Sequence, residues 1–468
     1  MWDKRITALA GILIAIIVFA VWFEKKEAKL WLGLPVVSEE SLREAWGDGT
    51  FYDSLENAEE ILLFNGNEIP YDKNTNTFYI TQNIENDGFD GVLGAAVDGL
   101  EVYLLSDGYA FSKNAGIAEG HVYRIWICDG SAATICNVTM SGLPIVSVEA
   151  VEMQEIKEDN ADGLPNGKDY ADGKIAVWTP EDEDFGGVSD RNSYMKCKRS
   201  ASGETITCKL RTKKGDDSKK VSFLSMGKYD AWKLYKVPET DETCVRMMLA
   251  YQMWNACSSK QELSAPCHFV ELVVNNEYQG LSVLRPRMDD DYFGLPEKDM
   301  VIQTEDNPSD EALYSAYRPE NAADFGLWVQ ATCAYANLFE DMIILDDGET
   351  SFFLPGKAEH VFGCFPGRYA YLAYRKEQRV ITAADFKWQG EDAAELDADM
   401  ALRWAQARSE FLGDDALAAA VWEQAEELKR AGVSARRGIA DESIAAFLDD
   451  IRLRYAQVDR YYEMENSR

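Results

Sequence analysis

The strongest constraint on the fold is a pair of alternating segments around a short polar turn at residues 268–286. In HFVELVVNNEYQGLSVLRP, apolar residues alternate on both sides of Asn275-Asn276-Glu277. A period of two is typical of strands, and a short turn rich in Asn joins two strands into a hairpin. This segment therefore predicts a β-hairpin.

Residues 47–152 also predict strands. Runs such as EILLFNG, NTFYITQ and GLEVYLLSDG alternate apolar and polar residues and end in Gly, Asn or Asp. Several short strands at this spacing predict a β-sandwich-like domain. No cluster of catalytic side chains occurs in it, so we interpret it as a binding or spacer module. The acidic, Gly- and Asn-rich residues 153–191 predict a linker and the first strand of the next domain.

The second half of the chain combines strands with helices. SYMKCKRSASG and ETITCKLRTKKG predict two strands joined around Gly203, and Cys197 and Cys208 have a spacing that suits neighbouring strands, with their thiol state left open. A helix is predicted from about Glu239. From Glu391 onward, apolar residues recur at intervals of three and four, which predicts a packed helical subdomain over residues 391–468. The fold class expected from these patterns is α+β.

An uncharged segment lies near the N-terminus. Residues 6–23 read ITALAGILIAIIVFAVWF, 18 residues without a charge. At about 1.5 Å per residue, a helix of this length just crosses the hydrocarbon core of a bilayer. The sequence thus predicts a membrane anchor over residues 1–30, a single-pass protein of the cell membrane with its N-terminus inside and its body extracytoplasmic. A cleaved signal peptide is the alternative.

The composition argues against nucleic-acid binding and against functions that need several histidines. The chain has 47 basic and 81 acidic residues, a net charge of -34, and a surface this negative repels nucleic acids. Only three histidines are present, which argues against zinc sites and histidine-based catalytic triads.

Several segments in order resemble the CotH (spore coat protein H) family of atypical protein kinases. FVELVVNNEYQGLSVLRP is similar to the family's strand–NGEYxGLY–strand hairpin, and residues 222–255, with Trp232 and Arg246, resemble the stretch that precedes it. KRSASGETITCKLRTKK looks like a degraded form of the family's RGNSS element. RWAQARSEFL, followed by Arg436-Arg437, is similar to its RW region. The resemblance spans about residues 170–465 and implies a divergent kinase-like core over residues 192–390.

The resemblance implies a set of phosphate-binding residues. Phosphoryl transfer requires a cation and backbone amides on the phosphates, carboxylate-bound metal and an Asp near the acceptor hydroxyl. Lys209 stands at the position of the family's phosphate-binding lysine, and Arg211, two residues on, is the alternative. A solvent-facing strand lysine is the other interpretation. Arg199, Ser202 and Gly203 form the small-residue turn between the strands, which also fits an ordinary hairpin turn.

The resemblance also implies the catalytic and metal-binding residues. In WVQATCAYANLFEDMIIL we assign Asp341 as the candidate base and Asn337 as its neighbour, with Glu340 not excluded. The family's metal-binding Trp-Asp-x-Asp element is missing, and Glu359 is the only carboxylate in the corresponding residues 352–372. Asp346 and Asp347 precede this region in a turn that needs no function, and Asp385 follows it.

Two functions are therefore expected. The first is an atypical kinase that uses ATP with Mg²⁺ or Mn²⁺ and transfers the γ-phosphate to hydroxyl groups of extracytoplasmic or cell-surface proteins. The second is a catalytically inactive, kinase-like binding or scaffold protein on the membrane. The kinase needs a bound metal ion and the scaffold protein does not, so the missing metal-binding element is the feature on which the choice between them depends.

Overall fold

The computed structural model describes most of the chain beyond residue 29. The described residues are 30–47, 50–52, 61–108, 112–129, 132–150, 154–155, 171–180, 188–199, 206–214, 217–295, 301–303, 319–333, 342–346, 350–358, 361–362, 380, 382–386 and 392–465. They form a mixed α/β protein with an N-terminal sheet, a β-barrel and a helical part packed on the outside of the barrel.

The N-terminal part is a mixed sheet with two short helices and a 3₁₀ turn. The order of its strands is β1-β2-β9-β10-β11-β7-β6, with β3 beside β11, and β5-β4-β8 form a small second sheet. The strands are β1 Leu30–Trp31, β2 Leu34–Val37, β3 Thr50–Phe51, β4 Leu62–Phe64, β5 Asn67–Glu68, β6 Tyr71–Asp72, β7 Thr77–Thr81, β8 Leu93–Ala95, β9 Glu101–Leu105, β10 Val122–Cys128 and β11 Ala132–Ser141. The helices here are α1 Glu39–Trp46, α2 Lys113–Ala118 and a 3₁₀ turn, Ser106–Gly108.

The predicted β-sandwich is wrong. A sandwich packs two antiparallel sheets, whereas β2 runs parallel to β9, and both β3 and β7 run parallel to β11. Alternation shows which residues of a strand face a core, but it does not show which strands are neighbours or in which direction they run. The strands were therefore predicted in the right region, but in the wrong architecture.

Seven strands of one sheet close into a barrel within the described residues. Its strands are β12 Ile145–Ala150, β14 Ala171–Trp178, β15 Val188–Arg199, β16 Ile206–Lys214, β20 Ala231–Lys236, β21 His268–Val274 and β22 Glu277–Pro286. The path β15-β14-β12-β21-β22-β20-β16 closes because β16 also pairs with β15. Every pair is antiparallel except β12 with β21.

The barrel corrects the predicted fold class. An α+β chain with a kinase-like core was expected, and the structure is mixed α/β with a closed barrel. Two barrel strands come from outside the predicted core of residues 192–390: β12 lies in the predicted sandwich and β14 in the predicted linker region. Closure depends on the contact between β15 and β16 that joins the two ends of the path, and such a contact leaves no local pattern in the sequence.

Two short strands, one hairpin and a separate three-stranded sheet accompany the barrel. β13 Gln154–Glu155 pairs with β15, and β17 Asp217–Ser218 pairs with the end of β16. β18 Val221–Ser222 and β19 Lys228–Tyr229 form a hairpin. A separate sheet holds β23 Val301–Gln303, β24 Met342–Asp346 and β25 Ser351–Pro355.

The helical part covers one side of the barrel. It contains α3 Arg246–Cys257, a 3₁₀ turn Gln261–Leu263, α4 Asp290–Phe293, α5 Ala322–Thr332, α6 Ala383–Phe386, α7 Ala393–Ser409, α8 Asp414–Arg430, α9 Val433–Arg437 and α10 Asp441–Glu465. Its apolar core includes Tyr235, Leu281 and Val283, which project outward from the barrel strands. The predicted C-terminal helices are confirmed.

The predicted membrane anchor is not supported and is withdrawn, with the single-pass, extracytoplasmic placement that depends on it. No helix within the described part of the chain has both the length and the apolar character needed to cross a bilayer. The segment on which the prediction was made, residues 6–23, lies outside the described residues.

Candidate functional site

Four basic side chains form a row across four neighbouring strands of the barrel. Lys196 lies directly opposite Lys209, Lys209 opposite Lys233, and Lys233 opposite Arg285. We call these residues the cationic row. Ile206, Cys208 and Leu210, which alternate with Lys209 along β16, belong to the apolar core inside the barrel. The row therefore lies on the outer face of the barrel.

The cationic row is buried as well as repulsive. The exposed fractions are 8% for Lys196, 9% for Lys209, 1% for Lys233 and 1% for Arg285. Like charges directly opposite each other on adjacent strands destabilise a sheet, and burial adds the cost of desolvating each charge. A face of this kind is complementary to a multiply charged anion, because one such ligand can contact several cations at once.

Aromatic rings and carbonyl groups fix the buried end of the row. The Arg285 guanidinium lies 5.4 Å from the ring centroid of Tyr235 and 5.3 Å from that of Tyr251. Its Nη2 donates to the carbonyl oxygen of Gly356 at 2.9 Å, and the Tyr251 hydroxyl donates to the same oxygen at 2.8 Å. Lys233 Nζ lies 5.8 Å from the Tyr235 ring. These contacts join the row to α3 and to the segment after β25.

A second group of charges lies on the same face of β16, two residues beyond Lys209. Arg211 Nη2 donates to Asp289 Oδ2 at 3.3 Å, and Arg287 Nε lies 3.7 Å from the same oxygen. Burial raises the pKa of the Asp289 carboxyl above its ordinary value, and the two guanidinium groups oppose that rise. Asp289 also caps α4, since its side chain accepts from Tyr292 N at 3.3 Å. Asp289 therefore holds the Arg211 guanidinium in place beside the row.

Of the predicted site residues, Lys209 and Arg211 have described side chains. Lys209 is buried, so its interpretation as a solvent-facing strand lysine is wrong, and Arg211 lies on the same outer face. Arg199 ends β15, and only its backbone is described. The other predicted site residues lie outside the described part of the chain: Ser202, Gly203, Asn337, Glu340, Asp341 and Glu359. Their convergence with Lys209 remains a prediction.

The carboxylates after the predicted catalytic helix are placed in part. Asp346 ends β24 and is half-buried, while Asp347 lies outside the described residues. Asp385 lies in α6, with only its backbone described. Among the described residues, no group of three His, Cys, Asp or Glu side chains is placed to hold a metal ion. We therefore assign no chemical step to the predicted Mg²⁺ or Mn²⁺.

The motif residues that carry the family resemblance have structural contacts. Trp232 lies in the barrel core, and Arg246 pairs with Asp241 at 3.2 Å. Trp404 Nε1 donates to Asp459 at 2.7 Å, and Arg408 pairs with the same carboxylate at 3.2 Å. Trp232 thus fills the barrel interior, and Trp404 and Arg408 hold α7 against α10.

Sequence reasoning missed Lys196, Lys233 and Arg285. One signal was present for the first of them: if Cys197 faces Cys208 in an antiparallel pair, Lys196 must face Lys209, and both pairs are observed. No comparable signal sets the register of β20 against β16 or of β22 against β20, since each pair joins strands that are distant in the chain or lack a marker such as the two cysteines.

A scan against protein-family models found no family that matches this chain, and a search of the curated proteins found no matching protein either. The case for a function therefore depends on the residues themselves.

Proposed function

We propose that this chain binds ATP through its phosphate groups at the cationic row and transfers the γ-phosphate to hydroxyl groups of a polypeptide. The observation that carries the proposal is the run of cross-strand pairs Lys196–Lys209–Lys233–Arg285 on the outer face of the barrel. The resemblance to the CotH family motivates the choice of nucleotide, and the charge and burial of the row support phosphate as the chemical group that it binds.

A triphosphate suits the row better than a single carboxylate does. Opposite residues on neighbouring strands lie about 5 Å apart, so three lysines span about 10 Å, a length that several linked phosphates can follow. Ionised donors bind phosphate oxygens more strongly than neutral donors do. The compact ammonium group of lysine carries three N–H donors, so it can bind phosphate oxygens that approach from different directions.

The transfer step is assigned to residues beyond the row. In it, the acceptor oxygen forms a bond to the γ-phosphorus while the bond from that phosphorus to the bridging oxygen breaks, and ADP leaves. The proton of the acceptor hydroxyl goes to the candidate base, Asp341. The cationic row stabilises the charge that builds up on the phosphate oxygens, which is the main contribution a protein makes to this reaction.

A second candidate function is binding of the nucleotide without transfer. The observation that favours it is the sequence of residues 352–372, where Glu359 is the single carboxylate in place of the family's metal-binding element. The two candidates share the binding step, so one experiment on binding and one on transfer separate them.

Nucleotide binding is tested with Lys209→Met. Loss of a charged hydrogen bond costs about 1.5–3 kcal/mol, so we expect affinity for a fluorescent ATP analogue to fall about 10- to 100-fold in a polarisation titration. Lys236→Met is the matched control, because Lys236 is a buried lysine of β20 that lies on the opposite face from Lys233 and pairs with Glu239 at 3.0 Å. Equal affinity in the wild type and Lys209→Met would remove the row from the proposal.

Transfer is tested with γ-labelled ATP and either Mg²⁺ or Mn²⁺. We expect label to appear on the chain itself or on an added polypeptide, and to disappear in Asp341→Ala while nucleotide affinity is kept. Label that persists in Asp341→Ala contradicts the assignment of the base. Tight binding with no label under either ion supports the second candidate.

A further inference from the structure

A strongly basic segment stands out in this acidic chain. Residues 206–236 contain Lys or Arg nine times and Asp or Glu three times, whereas the whole chain carries a net charge of -34. Some of these cations belong to the cationic row. Four other lysines of the segment are exposed, namely Lys214, Lys219, Lys220 and Lys228, and we call them the lysine patch.

Backbone hydrogen bonds hold the lysine patch together at one end of the barrel. Lys219 N donates to the Thr212 carbonyl oxygen at 2.9 Å, and Thr212 N donates to the Asp230 carbonyl oxygen at 2.7 Å. β17 pairs with the end of β16 at Lys213 and Lys214, and Ser222 of β18 lies opposite Lys228 of β19. Thr212 is fully buried, and its backbone is bonded to both Lys219 and Asp230. The four lysines therefore project from a fixed backbone.

The lysine patch has little compensating charge. Within the described residues, none of its four side chains lies within ion-pair distance of a carboxylate, whereas neighbouring Lys213 pairs with Asp172 and stacks on Tyr194. Asp217, opposite Lys214 on β17, is the exposed acid closest to the patch in the ladder. Asp230 is buried with 4% exposed. The patch therefore presents concentrated positive charge to solvent.

We infer that the lysine patch is a docking surface for an acidic polypeptide segment. Charge complementarity is the argument: the chain as a whole is strongly acidic, so an acidic segment is repelled by most of its charge and attracted to the patch. β16 contains both Lys214 of the patch and Lys209 of the cationic row, so the two sites are five residues apart along one strand. Docking does not require a nucleotide, so the inference goes beyond the proposed function.

A polypeptide fits the patch better than a nucleic acid does. A nucleic acid extends its charge far beyond four lysines, and the remaining surface, which is strongly acidic, repels that excess. A short run of Asp or Glu side chains places its charge over the patch alone. Lysines at a sheet edge also prevent edge-to-edge aggregation. That role predicts no ligand, so the experiment separates the two explanations.

The experiment measures binding of a short fluorescein-labelled oligoglutamate peptide to the full chain by polarisation in about 0.1 M salt, where the Debye length is about 10 Å. The patch variant is Lys214→Gln/Lys219→Gln/Lys220→Gln/Lys228→Gln. Exposed ion pairs contribute up to about 1 kcal/mol each, so we expect affinity to fall at least about tenfold and to weaken as salt is added. Circular dichroism confirms that the variant is folded.

The matched control removes the same number of positive charges from other elements: Lys73→Gln/Lys429→Gln/Arg430→Gln/Arg460→Gln. We expect it to bind within about twofold of the wild type, since screened charges at a distance contribute little. An equal loss in both variants, no binding by the wild type, or equal affinity for a single-stranded oligonucleotide would overturn the inference. Lys209→Met is expected to bind the peptide normally, so failure of the nucleotide proposal and failure of the docking surface are distinguishable.

Discussion

Glu427 gives a test of how burial of one carboxylate changes stability. It lies in α8, one turn from Glu423, and burial raises the pKa of its carboxyl, with repulsion from Glu423 adding to the rise and Arg430 opposing it. A raised folded-state pKa means that the folded protein holds this proton more tightly than the unfolded chain. The stability from this group is therefore complete below the ordinary pKa near 4.5 and is lost as the pH rises through the raised value.

The variant Glu427→Gln removes this dependence. At pH 7 we expect the variant to be more stable than the wild type, because the cost of burying the ionised carboxyl outweighs its attraction to Arg430. At pH 4 the difference is expected to vanish. Urea unfolding at several pH values measures it, and Glu426→Gln, at an exposed neighbouring position, is the control. A wild type that is more stable than the variant at pH 7 would contradict the argument.

The residues of the cationic row show what a sequence reveals about a single side chain. Lys209 could be chosen from the sequence because the family resemblance placed a functional lysine there. Its burial could not be predicted, because it depends on helices and loops that pack on the outside of the barrel. Lys233 and Arg285 look like ordinary polar positions of alternating strands, and only the register of β20 against β22 brings them together.

The β15–β16 pair is stapled by a disulfide inside the barrel. Cys197 and Cys208 lie directly opposite each other with Cα atoms 4.1 Å apart, and both are buried. A bridge that closes a loop of 11 residues restricts the unfolded chain and stabilises the fold by about 2–3 kcal/mol. Since the β15–β16 pair also closes the barrel, the disulfide stabilises the contact on which barrel closure depends.

Reduction is therefore expected to lower the free energy of unfolding of the wild type by about 2–3 kcal/mol, measured by urea denaturation with and without a phosphine reductant. The variant Cys197→Ala/Cys208→Ala should show no response to the reductant, which separates the bridge from the other cysteines. If the urea midpoint of the wild type is the same with and without the reductant, the two thiols are not bridged in solution.

Individual elements were more predictable than their arrangement. The hairpin of β21 and β22 is confirmed, because Asn275 and Asn276 adopt the left-handed conformation that a two-residue turn of this type requires, with φ of 50° and 58°. The parallel pair β12–β21 could not be predicted, since its partners are more than 100 residues apart in the chain and each strand alone fits many sheets.

A buried ionic network joins the three parts of the molecule. Glu271 of β21 is 0% exposed, and its carboxylate pairs with the Arg436 guanidinium of α9. The same carboxylate accepts from the Ser141 hydroxyl of β11 at 2.7 Å and from the Tyr278 hydroxyl of β22 at 3.1 Å. The Tyr278 ring stacks on Tyr79 of the N-terminal sheet at 4.6 Å. The N-terminal sheet, the barrel and the helical part therefore share one carboxylate.

Loss of the Arg436 charge is expected to lower the free energy of unfolding and to make the three parts unfold less cooperatively. Arg436→Met leaves Glu271 buried without its cation, which costs about 3–5 kcal/mol of stability, and the double variant Arg436→Met/Glu271→Gln should recover much of that loss because the remaining charge is gone. In calorimetry, the calorimetric enthalpy of Arg436→Met should exceed its van't Hoff enthalpy, since the parts then unfold less cooperatively. Arg437 pairs with exposed Glu239 at 3.0 Å, so Arg437→Met is the matched control and should cost less than about 1 kcal/mol. If both single variants lose the same small amount of stability, the three parts are held by their apolar contacts and Glu271 does not couple them.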